Sequence, residues 1–165
     1  MTGAALRAQL ARPGPSLVAL LALTYGVAVV GGLAADDAGG VYRTLQRPGW
    51  APPAWLFGPV WTVLYGSIAV AAWLVLRRGS ADGRRPALAL WMVQLLLNLA
   101  WTPLFFGAGK YGLALVDICL LLVSIALTVA AFGRVYRPAA LLLLPYLLWV
   151  AYASALNWSI WWLNR

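Results

Sequence analysis

Five apolar runs, each long enough to cross a hydrocarbon core of roughly 30 Å, constrain this chain more than any other feature. They extend from Ser16 to Ala35, Ala54 to Leu76, Ala87 to Gly109, Tyr111 to Gly133 and Pro138 to Leu163, and Asp117 is the only formal charge within them. A segment inside a bilayer must satisfy its own backbone, either as a helix or as a strand of a closed barrel. Barrel strands alternate apolar and polar residues, and these runs do not alternate. With 64% hydrophobic and 10% charged residues, the apolar surface exceeds what a soluble domain of this size can bury. The expectation is an all-α integral membrane bundle of five transmembrane helices, residues 1–165 forming one membrane domain with a long first loop at 36–53. Arg7 and Arg12 ahead of a stretch ending in Gly32, Leu33 and Ala34 imitate a secretory leader. That stretch is longer than a usual leader core, so it is read as a retained helix.

A net charge of +8 raises the question of nucleic acid, and the distribution answers it. Five spans put Arg7, Arg12, Arg77, Arg78, Arg84, Arg85, Arg134 and Arg137 on one side of the membrane. Arg43, Arg47, Lys110 and Arg165 fall on the other, near Asp36 and Asp37. The positive-inside rule then predicts a cytoplasmic N-terminus and an external C-terminus. The charge sets topology and does not argue for nucleic acid as a partner. Cys119 is alone, so no intramolecular disulfide is available, and its mid-helix position reads as a small buried hydrophobe. The chain has no histidine, which removes His-ligated haem, the usual zinc sites and the usual general base.

Three of the four connections are short, which predicts an up-down bundle of antiparallel neighbours with one elaborated loop. That loop holds Gly39, Gly40, Pro48, Gly49, Pro52 and Pro53 next to Tyr42, Trp50 and Trp55, and long loops tend to carry function, here as a lid. Pro59, Pro103 and Pro145 lie within spans and mark expected kinks. Ten tryptophans are too many for interfacial belts alone. Trp158, Trp161, Trp162, Trp50 and Trp55 suit the interfaces, whereas Trp61, Trp101 and Trp149 lie deeper. Trp91, Gln94, Asn98 and Trp101 share one helical face, Trp61 and Tyr65 are a turn apart, and Tyr146, Trp149, Ala153 and Asn157 form a stripe. Gln94, Asn98, Asp117 and Asn157 are costly in lipid and belong inside the bundle. Two readings are open for them: hydrogen bonds that hold the helices together, or polar points in a pocket for a flat, apolar ligand.

The stretch Arg47-Pro48-Gly49-Trp50-Ala51-Pro52-Pro53-Ala54-Trp55-Leu56-Phe57-Gly58-Pro59-Val60-Trp61-Thr62-Val63-Leu64-Tyr65 closely resembles the signature of the tryptophan-rich sensory protein family, TspO, also called translocator protein. Gln94 to Trp101, Phe105-Phe106-Gly107, Asp117, Pro145 to Trp149 and Leu156-Asn157 extend the resemblance over nearly the whole chain. The resemblance implies a five-helix bundle, commonly a homodimer, with a pocket beneath the first loop. It implies a porphyrin or haem as tetrapyrrole ligand and no required cofactor or metal. Carried over by position, Tyr42, Trp50, Trp55, Trp61, Tyr65, Asn98, Trp101 and Trp149 would bind it. Trp61 and Trp149 match tryptophans associated with light-dependent porphyrin breakdown. Tyr152 is followed by no basic residue before Arg165, a departure that speaks against a sterol as native partner. The alternatives are thus a tetrapyrrole-binding sensor or receptor in a bacterial cell membrane, a light-driven degrading activity without a conventional acid-base set, and a small transporter dependent on Asp117.

Overall fold

The computed structural model describes residues 13–35 and 37–165. Arg7, Arg12 and Asp36, which entered the charge argument, lie outside them. Lipid offers backbone groups no partners, so each apolar run closes its own hydrogen bonds as a helix. In chain order the helices are α1 (Pro13–Leu33), α2 (Ala38–Thr44), α3 (Phe57–Arg78), α4 (Ala81–Thr102), α5 (Tyr111–Val135) and α6 (Arg137–Leu163). All but α2 are long and apolar enough to span, and the described residues contain no strand. The chain is a multi-pass integral membrane protein.

Where the elements differ from the sequence reading, the ends of helices explain it. The first loop is not irregular throughout, because it contains α2. Asp37 caps that helix by accepting the Gly40 N–H at 2.9 Å, and a side chain at Gly40 would fall on the capping carboxylate. Residues 54–56, read as the start of a span, form a 3-10 turn ahead of α3. The arginine-rich turn before residue 87 is already the first part of α4. Asp82 favours that N-terminus, and Arg84 Nη1 donates at 2.8 Å to the Leu76 carbonyl near the end of α3. Pro59 lies in the first turn of α3, where N–H groups lack an intrahelical partner anyway, so it takes no hydrogen bond from the helix. Pro103 ends α4, and the chain widens into a single π-turn, Pro103–Gly107, closed by the Ala108 N–H on the Pro103 carbonyl at 2.8 Å. Pro145 alone lies deep within a spanning helix of the three.

The five spans close into a ring in the order α1, α3, α6, α5, α4 and back to α1. This corrects the expectation that every short connection makes close neighbours. Only Gly79 and Ser80 join α3 to α4, yet the two helices touch little. Besides Arg84, Trp91 Nε1 reaches across to the Ile68 carbonyl at 3.1 Å. Without a hydrophobic drive between helices in lipid, association rests on close packing and interhelical hydrogen bonds. Accordingly α3 buries Ala69, Ala71 and Ala72 completely, beside the equally buried Ile125, Phe132 and Val150. Gly107 lets α1 come close: a Cβ there would lie 2.9 Å from the Ala34 carbonyl oxygen.

Candidate functional site

The ring is tightly filled on one side of its length and open on the other. Beneath α2 lies a cavity of about 240 Å³, reached by all five spanning helices. α1 contributes only small and aliphatic residues, Val27, Ala28, Gly31 and Gly32, while α3, α4 and α6 contribute most of the aromatic rings, joined by Tyr42 of α2 and Phe106 of the π-turn. Trp61 and Trp149, 88 positions apart with α4 and α5 between them in the chain, face the same space because α3 and α6 are ring neighbours. Ile118 and Leu121 close the α5 side.

Of the eight positions singled out from sequence, Tyr42, Trp61, Tyr65, Asn98, Trp101 and Trp149 line this cavity. Trp50 and Trp55 do not. Trp50 is 49% exposed and packs edge-on against Tyr152 at 5.5 Å, while Trp55, 71% exposed, lies in the 3-10 turn before α3. Their spacing in the signature suits an interface belt as well as it suits a pocket. Sequence reasoning in turn passed over Phe57 and Phe106 and the whole α1 contribution. Phe57 and Phe106 stand inside the quoted motifs and could have been found. The α1 residues carry no polar or aromatic signal at all.

The rings form continuous walls. Tyr42 meets Phe57 edge-on at 5.3 Å, and Phe57 meets Trp149 at 5.9 Å. Trp61 lies 5.4 Å from Tyr65 and 6.1 Å from Tyr146. Trp101 stacks on Phe105 at 5.0 Å and is steered by its Nε1, which donates to Asn157 Oδ1 at 3.0 Å. Trp149 Nε1 is buried with no hydrogen-bond partner among the described residues. Trp149 also borders a second, shallower groove between α3 and α6, so its ring is the partition between cavity and outer surface.

The polar residues mostly serve the bundle. Tyr65 donates to Asn98 Oδ1 at 2.5 Å, Asn98 Nδ2 donates to the Tyr146 hydroxyl at 3.2 Å, and that hydroxyl donates to Gln94 Oε1 at 2.8 Å. Gln94 Nε2 ends the ladder on the Trp91 carbonyl at 2.9 Å. Asn157 joins Trp101 to the Tyr111 carbonyl. Thus the two open readings of the amides divide by residue: Gln94 and Asn157 tie helices together, and Asn98 does so while also facing the cavity. Asp117 is buried on α5 away from the cavity lining, with Oδ2 unpartnered among the described residues.

Above the cavity, Tyr42 is buried and donates to the Pro52 carbonyl at 2.9 Å. The Arg47 guanidinium lies 4.6 Å from its ring centre. Burial pushes the Tyr42 phenol above its ordinary range, against the opposing pull of Arg47, so it remains a neutral donor.

The TspO/MBR family model matches residues 18–163. The Tryptophan-rich protein TspO of Chlorobaculum tepidum is 44% identical over 150 residues, covering 87% of this chain and 95% of that protein. The human Translocator protein is 43% identical over 122 residues, 73% of this chain and 72% of its own length. The Tryptophan-rich sensory protein of Cereibacter sphaeroides is 37% identical over 123 residues, 74% and 76% respectively. A match over almost every spanning residue, with Phe57, Trp61 and Tyr65 of the signature on one cavity, means that this chain belongs to the TspO/MBR family.

Proposed function

We propose that the cavity binds a flat, largely apolar tetrapyrrole, and that this is the sensing or regulatory function of the protein. The observation that carries the reading is the pairing of Trp61 and Trp149 on one cavity whose remaining walls are almost wholly apolar. Indole and phenol rings give a planar macrocycle broad contact at little entropic cost, each aromatic pair adding about 0.5–1.5 kcal/mol beyond area burial. With no histidine to ligate iron, recognition falls to ring faces and edges. The cavity of about 240 Å³ lies below the roughly 300–1,000 Å³ usual for small-ligand sites, so a macrocycle is admitted only as part of the wall moves outward. Titration of purified protein in nanodiscs with protoporphyrin, followed by tryptophan quenching, tests this. Saturable quenching, weakened by Trp61→Ala and Trp149→Ala, is expected. Its absence in folded protein refutes the proposal.

A second reading, light-dependent porphyrin conversion, is favoured by the same shared position of Trp61 and Trp149. An indole readily gives an electron to a photoexcited porphyrin, and this is the one route to chemistry that needs no acid-base pair. The transport reading gains no such support, because Asp117 stands outside the lining. In orientation, the N-terminus is proposed to be cytoplasmic, with α2 and the cavity mouth on the external side.

A further inference from the structure

The cover of the cavity is fastened to α6, and chiefly through one amide. Asn164 follows the last turn of α6. Its Oδ1 accepts the Gln46 N–H at 3.0 Å, and its Nδ2 donates to the Gln46 carbonyl at 2.9 Å and the Ile160 carbonyl at 2.8 Å. Both amide hydrogens are therefore used, and both backbone groups of Gln46 are met by one side chain, much as a neighbouring strand would meet them. A second tie lies further along the same connection. The Tyr152 hydroxyl donates to the Trp50 carbonyl at 3.0 Å, with the two rings edge to face.

The connection between these ties is also braced within itself. Tyr42 donates to the Pro52 carbonyl, and Arg47 lies over the Tyr42 ring, so residues 42–52 are closed on themselves. This piece carries Tyr42 over the cavity and continues into α2, whose Ala38 and Gly39 also line it. Elsewhere the wall is spanning helix, held by buried bonds such as the Tyr65–Asn98–Tyr146 ladder, for which lipid offers no substitute. The ties to Gln46 and Trp50 are different: both are solvent-exposed, and water can replace them when they part. The weakest fastening thus belongs to the part of the wall that covers the opening.

We propose that Asn164 is the latch of this cover, a positioning residue that holds the first loop closed with Tyr152 as the second tie, and that ligand exchange passes beneath the loop when both release. The proposal rests on the reading that the cavity takes a ligand; the latch itself does not.

The test uses the full chain in phosphatidylcholine–phosphatidylglycerol nanodiscs and has two arms. The first is amide hydrogen exchange of residues 45–53 without ligand. Asn164→Ala removes two exposed bonds to Gln46 and is expected to speed exchange of the Gln46 amide about tenfold. Asn164→Asp keeps the acceptor for that amide but loses the donor, and should fall between. The second arm is stopped-flow quenching with protoporphyrin. Asn164→Ala should accelerate association and dissociation by a common factor of about ten while Kd stays within about twofold, the signature of a gate and not of a contact. Tyr152→Phe, which keeps the ring, should add a smaller step of the same kind. Unchanged Gln46 exchange overturns the latch. Faster exchange with unchanged binding rates overturns the route, and points instead to passage past Trp149 from the outer groove. Should wild-type protein fail to bind protoporphyrin, the ligand reading falls, and the exchange arm alone decides the latch.

Discussion

Replacing Tyr146 with phenylalanine removes one oxygen from the centre of the bundle. That oxygen donates to Gln94 Oε1 at 2.8 Å and accepts from Asn98 Nδ2 at 3.2 Å, and all three residues are buried. The ring stays, so packing against Trp61 is kept and no cavity larger than a hydroxyl opens. Side-chain hydrogen bonds between membrane helices average about 0.6 kcal/mol and reach about 1.7, so two lost bonds amount to about 1–3 kcal/mol. The upper end is expected here, because the buried Gln94 Oε1 loses its only hydrogen-bond partner among the described residues. Unfolding in mixed dodecylmaltoside–dodecylsulfate micelles, followed by circular dichroism, gives the value directly. If the reasoning is right, Tyr146→Phe combined with Gln94→Leu recovers part of the loss, since removing both partners leaves one fewer orphan. Tyr25→Phe is the control: its hydroxyl bonds the Thr62 carbonyl from a partly exposed position, and its loss should cost no more than about 0.5 kcal/mol. A Tyr146→Phe protein as stable as wild type, or a double variant whose losses simply add, would show that the ladder contributes nothing to the fold.

Three further outcomes are expected. Trp61→Phe and Trp149→Phe should each keep protoporphyrin binding within about tenfold of wild type but lose most light-dependent conversion, measured by porphyrin absorbance under equal illumination; full conversion by the double variant rules out these indoles as electron donors. Reporter fusions after Gly49 and after Gly79 should report opposite sides of the membrane, the first external, and matching sides would contradict the proposed topology. Gly107→Val should destabilise the protein by about 1–3 kcal/mol in the same micelle assay, because its Cβ meets the backbone oxygen of Ala34 at 2.9 Å. Gly32→Ala, with nothing within 4 Å, should not.

The signature from Arg47 to Tyr65 is one string in the sequence, but its residues part company in space. Trp61 and Tyr65 turn inward from α3, whereas Trp50 and Trp55 stay at the surface. Nothing in the residue types separates them, because tryptophan serves a membrane interface and a pocket wall equally well. Asn98 was legible as an interior polar group, since an amide in lipid must find partners, but its ladder to Tyr65, Tyr146 and Gln94 depends on which helices stand beside α4. Asn164 was not legible at all. Its partner is 118 positions away, and an asparagine at a helix end has local uses enough to need no distant one.

By itself the sequence determined that the chain spans a bilayer five times as helices, and that it belongs with the tryptophan-rich family. Both follow from local properties, the length of apolar runs against bilayer thickness and an uninterrupted motif. Only the tertiary structure decided the ring order, the joining of α1 to the cavity and the fastening of the loop to α6. The reason is the solvent. In water, an apolar stripe marks the face a helix buries, but in lipid the outer face is as apolar as the inner, and exposed Leu120, Val123 and Leu127 look like buried Leu121 and Ile125. Which faces meet is then left to the shapes of side chains and to a few hydrogen bonds between distant residues.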